Sequence, residues 1–228
     1  LAVGDAEFQK KCLGKMDSLA KSGRTVIFVS HNMDQIKKLC TKSIFLESGK
    51  FIQLGPVEDI IKTYFSNIYK ISKKSLANRK DRKGNGEVRF SSVKYFQENK
   101  EVSRVLNGKE TIIEVEYMLM NGIEKLNNID ITIAINNSSG QQITLLSSIS
   151  TNNSVTLSKK RGKIRVVIFK LPLVGGDYSI TLFMESNKNI CDWIQNSSTM
   201  KVVGGNFFKS GVEHRSQGDI LMSHSFIY

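Results

Sequence analysis

The chain has 228 residues, of which 40% are hydrophobic and 24% are charged, and its formal net charge is +12 at pH 7. This is ordinary globular composition for one large or two modest domains, and the length suffices to bury a core without disulfide or metal crosslinks. No apolar run approaches the roughly 20 residues that span a bilayer, and three widely spaced cysteines argue against a disulfide framework.

Residues 1–69 have the pattern of an α/β segment. Apolar residues recur at helical spacing over residues 7–22. The run Thr25–Val29 is apolar, mostly β-branched and does not alternate, which is typical of a parallel strand covered on both faces. Helical spacing returns over residues 32–40, so the order helix, buried strand, helix is predicted.

A hairpin and a further helix are predicted next. Two short apolar runs lie on either side of Ser48 and Gly49, which is a hairpin signal. Pro56 suits the first turn of a helix, and an apolar helical face then runs from Val57 to Ile68.

Residues 70–86 have no apolar period and end in the letters RKGNG, which indicates a linker. Its stretch Lys70–Lys83 holds seven Lys or Arg and one Asp, so it carries +6, half of the net charge. The basic character is therefore concentrated in one stretch. Such a stretch could attract a nucleic acid or anionic lipid headgroups.

From residue 87 to residue 228 the hydrophobic period changes to two. Every second residue from Ile129 to Ile135 is isoleucine, and similar runs are separated by clusters of Gly, Asn and Ser. Short alternating strands at this spacing predict an antiparallel β-sandwich. The apolar end of the chain, residues 220–228, is predicted to form a last strand, paired within the sheet or across a dimer.

The predicted buried strand ends at Ser30 and His31. A histidine at the carboxyl end of a parallel strand can donate a ring N–H to an anionic oxygen of a ligand, or it can simply be a capping or solvated residue. Its flanks favour the ligand, because the segments LAVGDAEFQKKCLGKM, VSHNMDQI and SIFLESGKFIQLGPVEDIIKTYF resemble the last third of an ABC-transporter ATPase domain.

The resemblance implies roles for two residues. His31 would be the switch histidine that contacts the γ-phosphate of ATP, and Asp5 would be the D-loop aspartate at the seam of an ATPase dimer. The Walker B carboxylates would precede Leu1, so the chain is expected to be a fragment. The cofactors implied are ATP and Mg²⁺ in the longer protein. No G-x-x-x-x-G-K-[ST] occurs in the sequence, so this fragment alone is not expected to hydrolyse ATP.

The opening letters LAVGD, with the later segments GNGEVRFSSVKYF and CDWIQNSSTMKVVGG, resemble the subfamily that exports bacterial surface polysaccharides, in particular Wzt-like O-antigen (lipopolysaccharide) exporters. This resemblance implies an α/β remnant of an ABC ATPase domain followed by an all-β, immunoglobulin-like or jelly-roll sandwich. The expected division is residues 1–69 for the ATPase part, 70–86 for a basic linker and 87–228 for a polysaccharide-binding sandwich.

The resemblance further implies a homodimer that works with a membrane-embedded permease, lies at the cytoplasmic face of the bacterial inner membrane, and binds the polysaccharide to be exported. No nucleic-acid partner is expected, since the basic residues fall in the apparent linker. The alternatives left open are a basic nucleic-acid-binding module and a dimerisation module without a transport role.

Trp193 and Gln195 are the candidate glycan-binding residues of the sandwich. Sugars bind through aromatic faces and through side chains that pair with hydroxyl groups. The opposing interpretation is that Trp193, the only tryptophan, fills the sandwich core. No metal site is expected, because His214 and His224 have no Cys or carboxylate arrangement around them.

Overall fold

The computed structural model describes residues 24–30, 33–47, 49–153, 155–211 and 218–227. The chain divides into two compact units, Leu1–Tyr64 and Phe65–Tyr228. None of the helices in the described ranges is long and apolar enough to cross a membrane.

Within the first unit, residues 24–30 form no strand and are largely exposed, with Ile27 at 86% and Val29 at 90%. The prediction of a buried parallel strand over Thr25–Val29 is therefore wrong for this chain. A strand is stable only when its N–H and C=O groups pair with a neighbouring strand, and no described residue pairs with this run. The α/β remnant is accordingly not observed in the described part of this unit.

The helix predicted over residues 7–22 lies outside the described residues, and the predicted elements that follow Ser30 are present. Helix α1 spans Met33–Leu39, and strands β1 (Lys42–Glu47) and β2 (Lys50–Pro56) form an antiparallel hairpin. Helix α2 spans Val57–Ser72 and has an apolar face whose first residues, Val57, Ile60 and Ile61, are buried. The boundary between the two compact units falls within this helix.

The second unit is a sandwich of two sheets. Its strands are β3 (Val88–Gln97), β4 (Lys100–Glu101), β5 (Val105–Leu106), β6 (Thr111–Leu119), β7 (Leu126–Asn136), β8 (Gln142–Ser147), β9 (Val155–Leu157), β10 (Arg161–Ile168), β11 (Gly176–Ser186) and β12 (Asn189–Val203). The smaller sheet has the order β10-β6-β3-β4; the larger has the order β5-β12-β11-β7-β8, with β9 also paired to β7. All these pairings are antiparallel except β5 with β12.

Alternation explains why these residues form a sandwich. Ile129, Ile131, Ile133 and Ile135 are all buried, whereas Asp130 and Thr132 between them are half-buried. One cluster of buried apolar residues contains side chains from both sheets, so both inner faces share one core. The β-rich prediction is confirmed; the immunoglobulin-like or jelly-roll connectivity stays a prediction.

Two expectations about the ends of the sandwich need revision. Within residues 218–227 only Ile220 makes a β-bridge, to Leu173, so the predicted last strand is not formed there.

The segment predicted as a linker is also structured in part. A short 3₁₀ helix spans Leu76–Asn78, and Arg79 and Arg82 have almost fully buried side chains. The boundaries at 69/70 and 86/87 stay predictions.

Candidate functional site

Trp193 lies on β12 and faces away from the core. It is half-buried, whereas its neighbour Ile194 is fully buried. Because side chains alternate along a strand, the indole lies on the outer face of the larger sheet. The interpretation of Trp193 as a core residue is therefore wrong.

Trp193 is directly opposite Phe183 of β11, and the two rings make an edge-to-face contact with centroids 6.1 Å apart and planes at 76°. Phe183 is in turn opposite Thr132 of β7. We call Phe183 and Trp193 the aromatic platform. Half-buried rings with a hydroxyl alongside suit sugars, whose C–H faces pack on rings and whose hydroxyls need hydrogen-bond partners.

Lys83 borders the platform. Its backbone N–H donates to the Trp193 carbonyl at 2.9 Å, and the Trp193 N–H donates back at 2.8 Å. The Lys83 ammonium lies 5.0 Å from the indole centroid, within the range of a cation–π interaction. Lys83 therefore pairs with β12 on the edge away from β11, and its ammonium contacts one side of the indole.

Gln195 is exposed on a bulge of β12. The pairing with β11 shifts between Leu182, opposite Ile194, and Ile180, opposite Ser198. This irregularity leaves extra residues on β12, a geometry that re-aims side chains. The other predicted glycan residue thus lies beside the platform, on an irregular segment.

Arg79 holds this bulge. Its guanidinium donates to the carbonyls of Gln195 at 2.7 Å and Asn196 at 2.6 Å, and to Asp81 at 2.9 and 2.6 Å. The hydrogen bond from Arg79 keeps the pKa of Asp81 below its usual value. Sequence reasoning missed Arg79, because a lone arginine in a basic run carries no signal of the distant carbonyls it will contact.

Asp192 precedes Trp193 and is completely buried. Its carboxylate accepts hydrogen bonds from Arg82 at 3.0 Å, from Arg89 at 2.8 Å and from the backbone N–H of Phe90 at 2.9 Å. Burial lowers the pKa of Arg82, and the charge of Asp192 opposes that shift. Since Arg89 and Phe90 belong to β3, the carboxylate connects the two sheets directly beneath the platform.

A second site is a cavity of about 890 Å³ beside β6 and β10 of the smaller sheet. Its lining includes Tyr117, Ser158, Lys159, Arg161 and Lys163. We call it the basic cavity. It was not predicted, because its lining comes from segments that are distant in sequence and meet only in the folded sandwich.

The nucleotide site cannot be built from the described residues. Asp5 and His31 lie outside them, and the glycine-rich loop that would cradle phosphate does not occur in the sequence. The residues present therefore do not form a complete binding site for ATP and Mg²⁺. The described residues also contain no group of three or more His, Cys, Asp or Glu able to hold a metal ion.

Two export proteins are similar to part of the chain. The Teichoic acids export ATP-binding protein TagH of Bacillus anthracis is 38% identical over 97 residues, which cover 42% of this chain and 17% of that protein. The TagH of Staphylococcus haemolyticus is 40% identical over 91 residues, which cover 40% of this chain and 34% of that protein. The matched parts thus cover about a third or less of these relatives.

The fold has a counterpart among solved structures. The crystal structure of the C-terminal domain of wzt superposes with a TM-score of 0.55 at 12% identity, covering 71% of this chain and 95% of that one. At this identity the likeness shows the fold alone. The sequence family described as Wzt C-terminal domain matches residues 79–214, from the buried Arg79 onward and over more than half of the chain. The chain therefore belongs to the Wzt C-terminal domain family.

Proposed function

We propose that this chain is part of the ATP-binding subunit of an ABC transporter that exports a cell-surface polysaccharide, and that its sandwich binds the polymer to be exported. The family membership and the two TagH relatives support the proposal. The polymer is of the O-antigen or teichoic-acid type. ATP and Mg²⁺ would be held mainly by residues of the longer protein, with His31 and Asp5 contributing to that nucleotide site.

The partners in this proposal are a second copy of the subunit and a membrane-embedded permease. The subunit acts at the cytoplasmic face of the bacterial inner membrane, where the polymer is made available before export. In such an arrangement the sandwich selects the cargo, while the ATPase part drives the permease.

The observation that carries the glycan-binding part is the aromatic platform. Phe183 and Trp193 present two half-buried rings side by side on an outer sheet face, with Thr132 in the same row. Edge-to-face rings in fixed positions offer a sugar ring a surface that needs no reorganisation on binding. Arg79 and Lys83 both form hydrogen bonds with the backbone of the strand that carries Trp193, which favours a platform that is in place before the polymer binds.

The same contacts remove two of the seven cations of the basic stretch Lys70–Lys83 from its exposed charge. Arg79 and Arg82 are buried and paired with Asp81 and Asp192. They are thus unavailable for phosphate contacts, which need exposed cations.

Calorimetric titration of the full chain with the surface polysaccharide extracted from its native host tests the proposal. Trp193→Ala should lower the affinity by about tenfold, since an aromatic contact contributes about 0.5–1.5 kcal/mol beyond the area that it buries. Trp193→Phe should recover part of that loss. The matched control is Phe169→Ala, which removes an aromatic ring that is 82% exposed and outside the platform.

Unchanged affinity of a folded Trp193→Ala variant, or an equal loss in Phe169→Ala, would contradict a role for the platform. Absence of any binding by the unmodified chain would contradict glycan recognition by this domain.

A further inference from the structure

The sequence contains three Asn-Gly pairs, at residues 85–86, 107–108 and 121–122. Asparagine loses its side-chain amide most readily before glycine, because a residue without a side chain leaves its backbone nitrogen open to approach. The reaction requires that this nitrogen reach the side-chain carbonyl carbon of the asparagine. The three pairs should therefore differ in reactivity according to how the fold holds these two groups.

The pair at 107–108 is held by the sandwich. Asn107 is only 7% exposed, and its side-chain oxygen accepts a hydrogen bond from the Gly205 N–H at 2.7 Å. The Gly108 N–H donates to the Leu171 carbonyl at 2.8 Å. Both reacting groups are thus occupied, and partly buried groups give up such bonds only at a cost in free energy.

The pair at 85–86 is held in a similar way, although the asparagine itself is exposed. The buried Gly86 donates its N–H to the Cys191 carbonyl at 3.0 Å. The Asn85 side-chain oxygen accepts from the Glu87 N–H at 3.0 Å. Exposure of the side chain alone therefore does not free this pair to react.

The pair at 121–122 is the centre of a turn between β6 and β7. Both residues are exposed, and their φ angles are 54° and 75°. The Ile123 N–H donates to the Met120 carbonyl at 3.0 Å, so the four residues have the pattern of a type I′ turn. A Cβ added at Gly122 would meet nothing within 4 Å. Among the described residues, neither the Gly122 N–H nor the Asn121 side chain has a hydrogen-bond partner.

We propose that Asn121 is a deamidation site of the folded chain. The Gly122 nitrogen attacks Cγ of Asn121 and forms a new C–N bond. The bond from Cγ to Nδ2 breaks, and ammonia leaves with the proton of the Gly122 N–H. Water then opens the succinimide at either carbonyl, which gives aspartate or isoaspartate. Water is the only co-reactant, and the inference is independent of the proposed function.

The modification would change the connection between the two sheets, since β6 belongs to the smaller sheet and β7 to the larger. Either product adds a negative charge at the turn, and isoaspartate also adds a methylene carbon to the main chain. The fold should tolerate both products, because exposed turns accept changes in chain length. Deamidated and intact chains should therefore coexist as folded charge variants.

The test incubates the full chain in mildly alkaline buffer and follows the exchange of each amide –NH₂ for –OH by mass spectrometry. Trypsin, which cleaves after Lys and Arg, places the three asparagines in separate peptides. Asn121 should convert about tenfold faster than Asn85 or Asn107 while Trp193 fluorescence shows a folded chain. In urea the three rates should agree within about threefold, since the protecting hydrogen bonds are lost.

Gly122→Ala should slow the conversion of Asn121 about tenfold, because a methyl group hinders the approach of the nitrogen. Gly211→Ala is the matched control, since Gly211 has a φ of 73° and equally open surroundings. This control should change the rate less than about twofold.

Two outcomes would overturn the proposal. One is equal conversion of Asn85 and Asn121 in the folded chain, which would mean that the hydrogen bonds give no selectivity. The other is an Asn121 that stays intact in the folded chain but converts in urea, which would show that the turn itself protects this residue.

Discussion

Asp192 and Arg82 form a buried ion pair: their oxygen and nitrogen lie 3.0 Å apart, and their side chains are 0% and 6% exposed. Arg82 also donates to the Leu76 carbonyl at 2.6 Å. One guanidinium thus connects the segment before the sandwich to the strand that carries Trp193. A buried charge of this kind is tolerated only while its partners remain.

Replacing Asp192 should therefore destabilise the sandwich strongly. Asp192→Ala leaves Arg82 buried without a counter-charge, which costs about 3–5 kcal/mol. Urea unfolding followed by the fluorescence of Trp193, the only tryptophan, measures this loss in the sandwich itself. The exposed Asp177 offers a control, Asp177→Asn, that should change the free energy of unfolding by less than about 0.5 kcal/mol. A loss below about 1 kcal/mol for Asp192→Ala would refute the assigned role.

Gly84 should not tolerate a side chain. Its φ is +117°, and an added Cβ would lie 2.5 Å from the Cys191 carbonyl oxygen. Gly84→Ala should thus cost about 1–3 kcal/mol and weaken the docking of Lys83 on Trp193. Gly204→Ala is the matched control, because a Cβ there meets nothing within 4 Å. The same urea titration compares them; similar midpoints for the two variants would disprove the close approach.

Glu114 should make stability depend on acid pH. Hydrogen bonds from Lys163 and Arg165 hold the pKa of Glu114 below its ordinary value of 4.5. The native state then binds fewer protons than the unfolded state, so this contribution is fully present above pH 4.5 and is lost as pH falls through the lower native pKa. Glu114→Gln should be less stable than the unmodified chain at about pH 7, with the difference shrinking towards about pH 3.

Thermal unfolding across this pH series measures the difference, with the exposed Glu124→Gln as control. A stability gap that widens on acidification would have the wrong sign for the assigned ion pairs.

The Cys191 thiol should resist alkylation. It is fully buried, and burial raises its pKa to about 11. The thiolate is the reactive form, so iodoacetamide at about pH 8 should modify Cys191 only after the sandwich unfolds. Cys40, which is partly exposed, is the internal comparison. Mass spectrometry along a urea gradient follows both sites; modification of Cys191 before the Trp193 transition would contradict its burial.

The local sequence pattern predicted the sandwich well because the alternation of apolar and polar residues within each strand indicates by itself which face is buried. The alternation from Ile129 to Ile135 specifies which face of β7 is buried, whatever its neighbours are. The run Thr25–Val29 failed for the opposite reason: a strand covered on both faces depends on partner strands, and none of the described residues provides them.

The candidate sites were harder to predict. Trp193 follows simple alternation, but the side of the sheet it faces is fixed only once the core contacts of Ile194 are known. Arg79 and Arg82 look like part of a charged run, and only the fold brings them within hydrogen-bond distance of β12 more than a hundred residues later. The basic cavity, likewise, unites residues from four separate segments.

The buried positions of Leu76, Arg79 and Arg82 determine where a recombinant fragment of the sandwich should begin. A fragment starting at Glu87 would lack Arg79, which donates to carbonyls of the β12 bulge, and Arg82, which pairs with Asp192. Asp192 would then keep only Arg89 and the backbone N–H of Phe90 as donors. Truncation at Glu87, the end of the segment whose sequence indicates a linker, should thus lower the stability of the sandwich as a core substitution does. Fragments that begin before Leu76 preserve every one of these pairings.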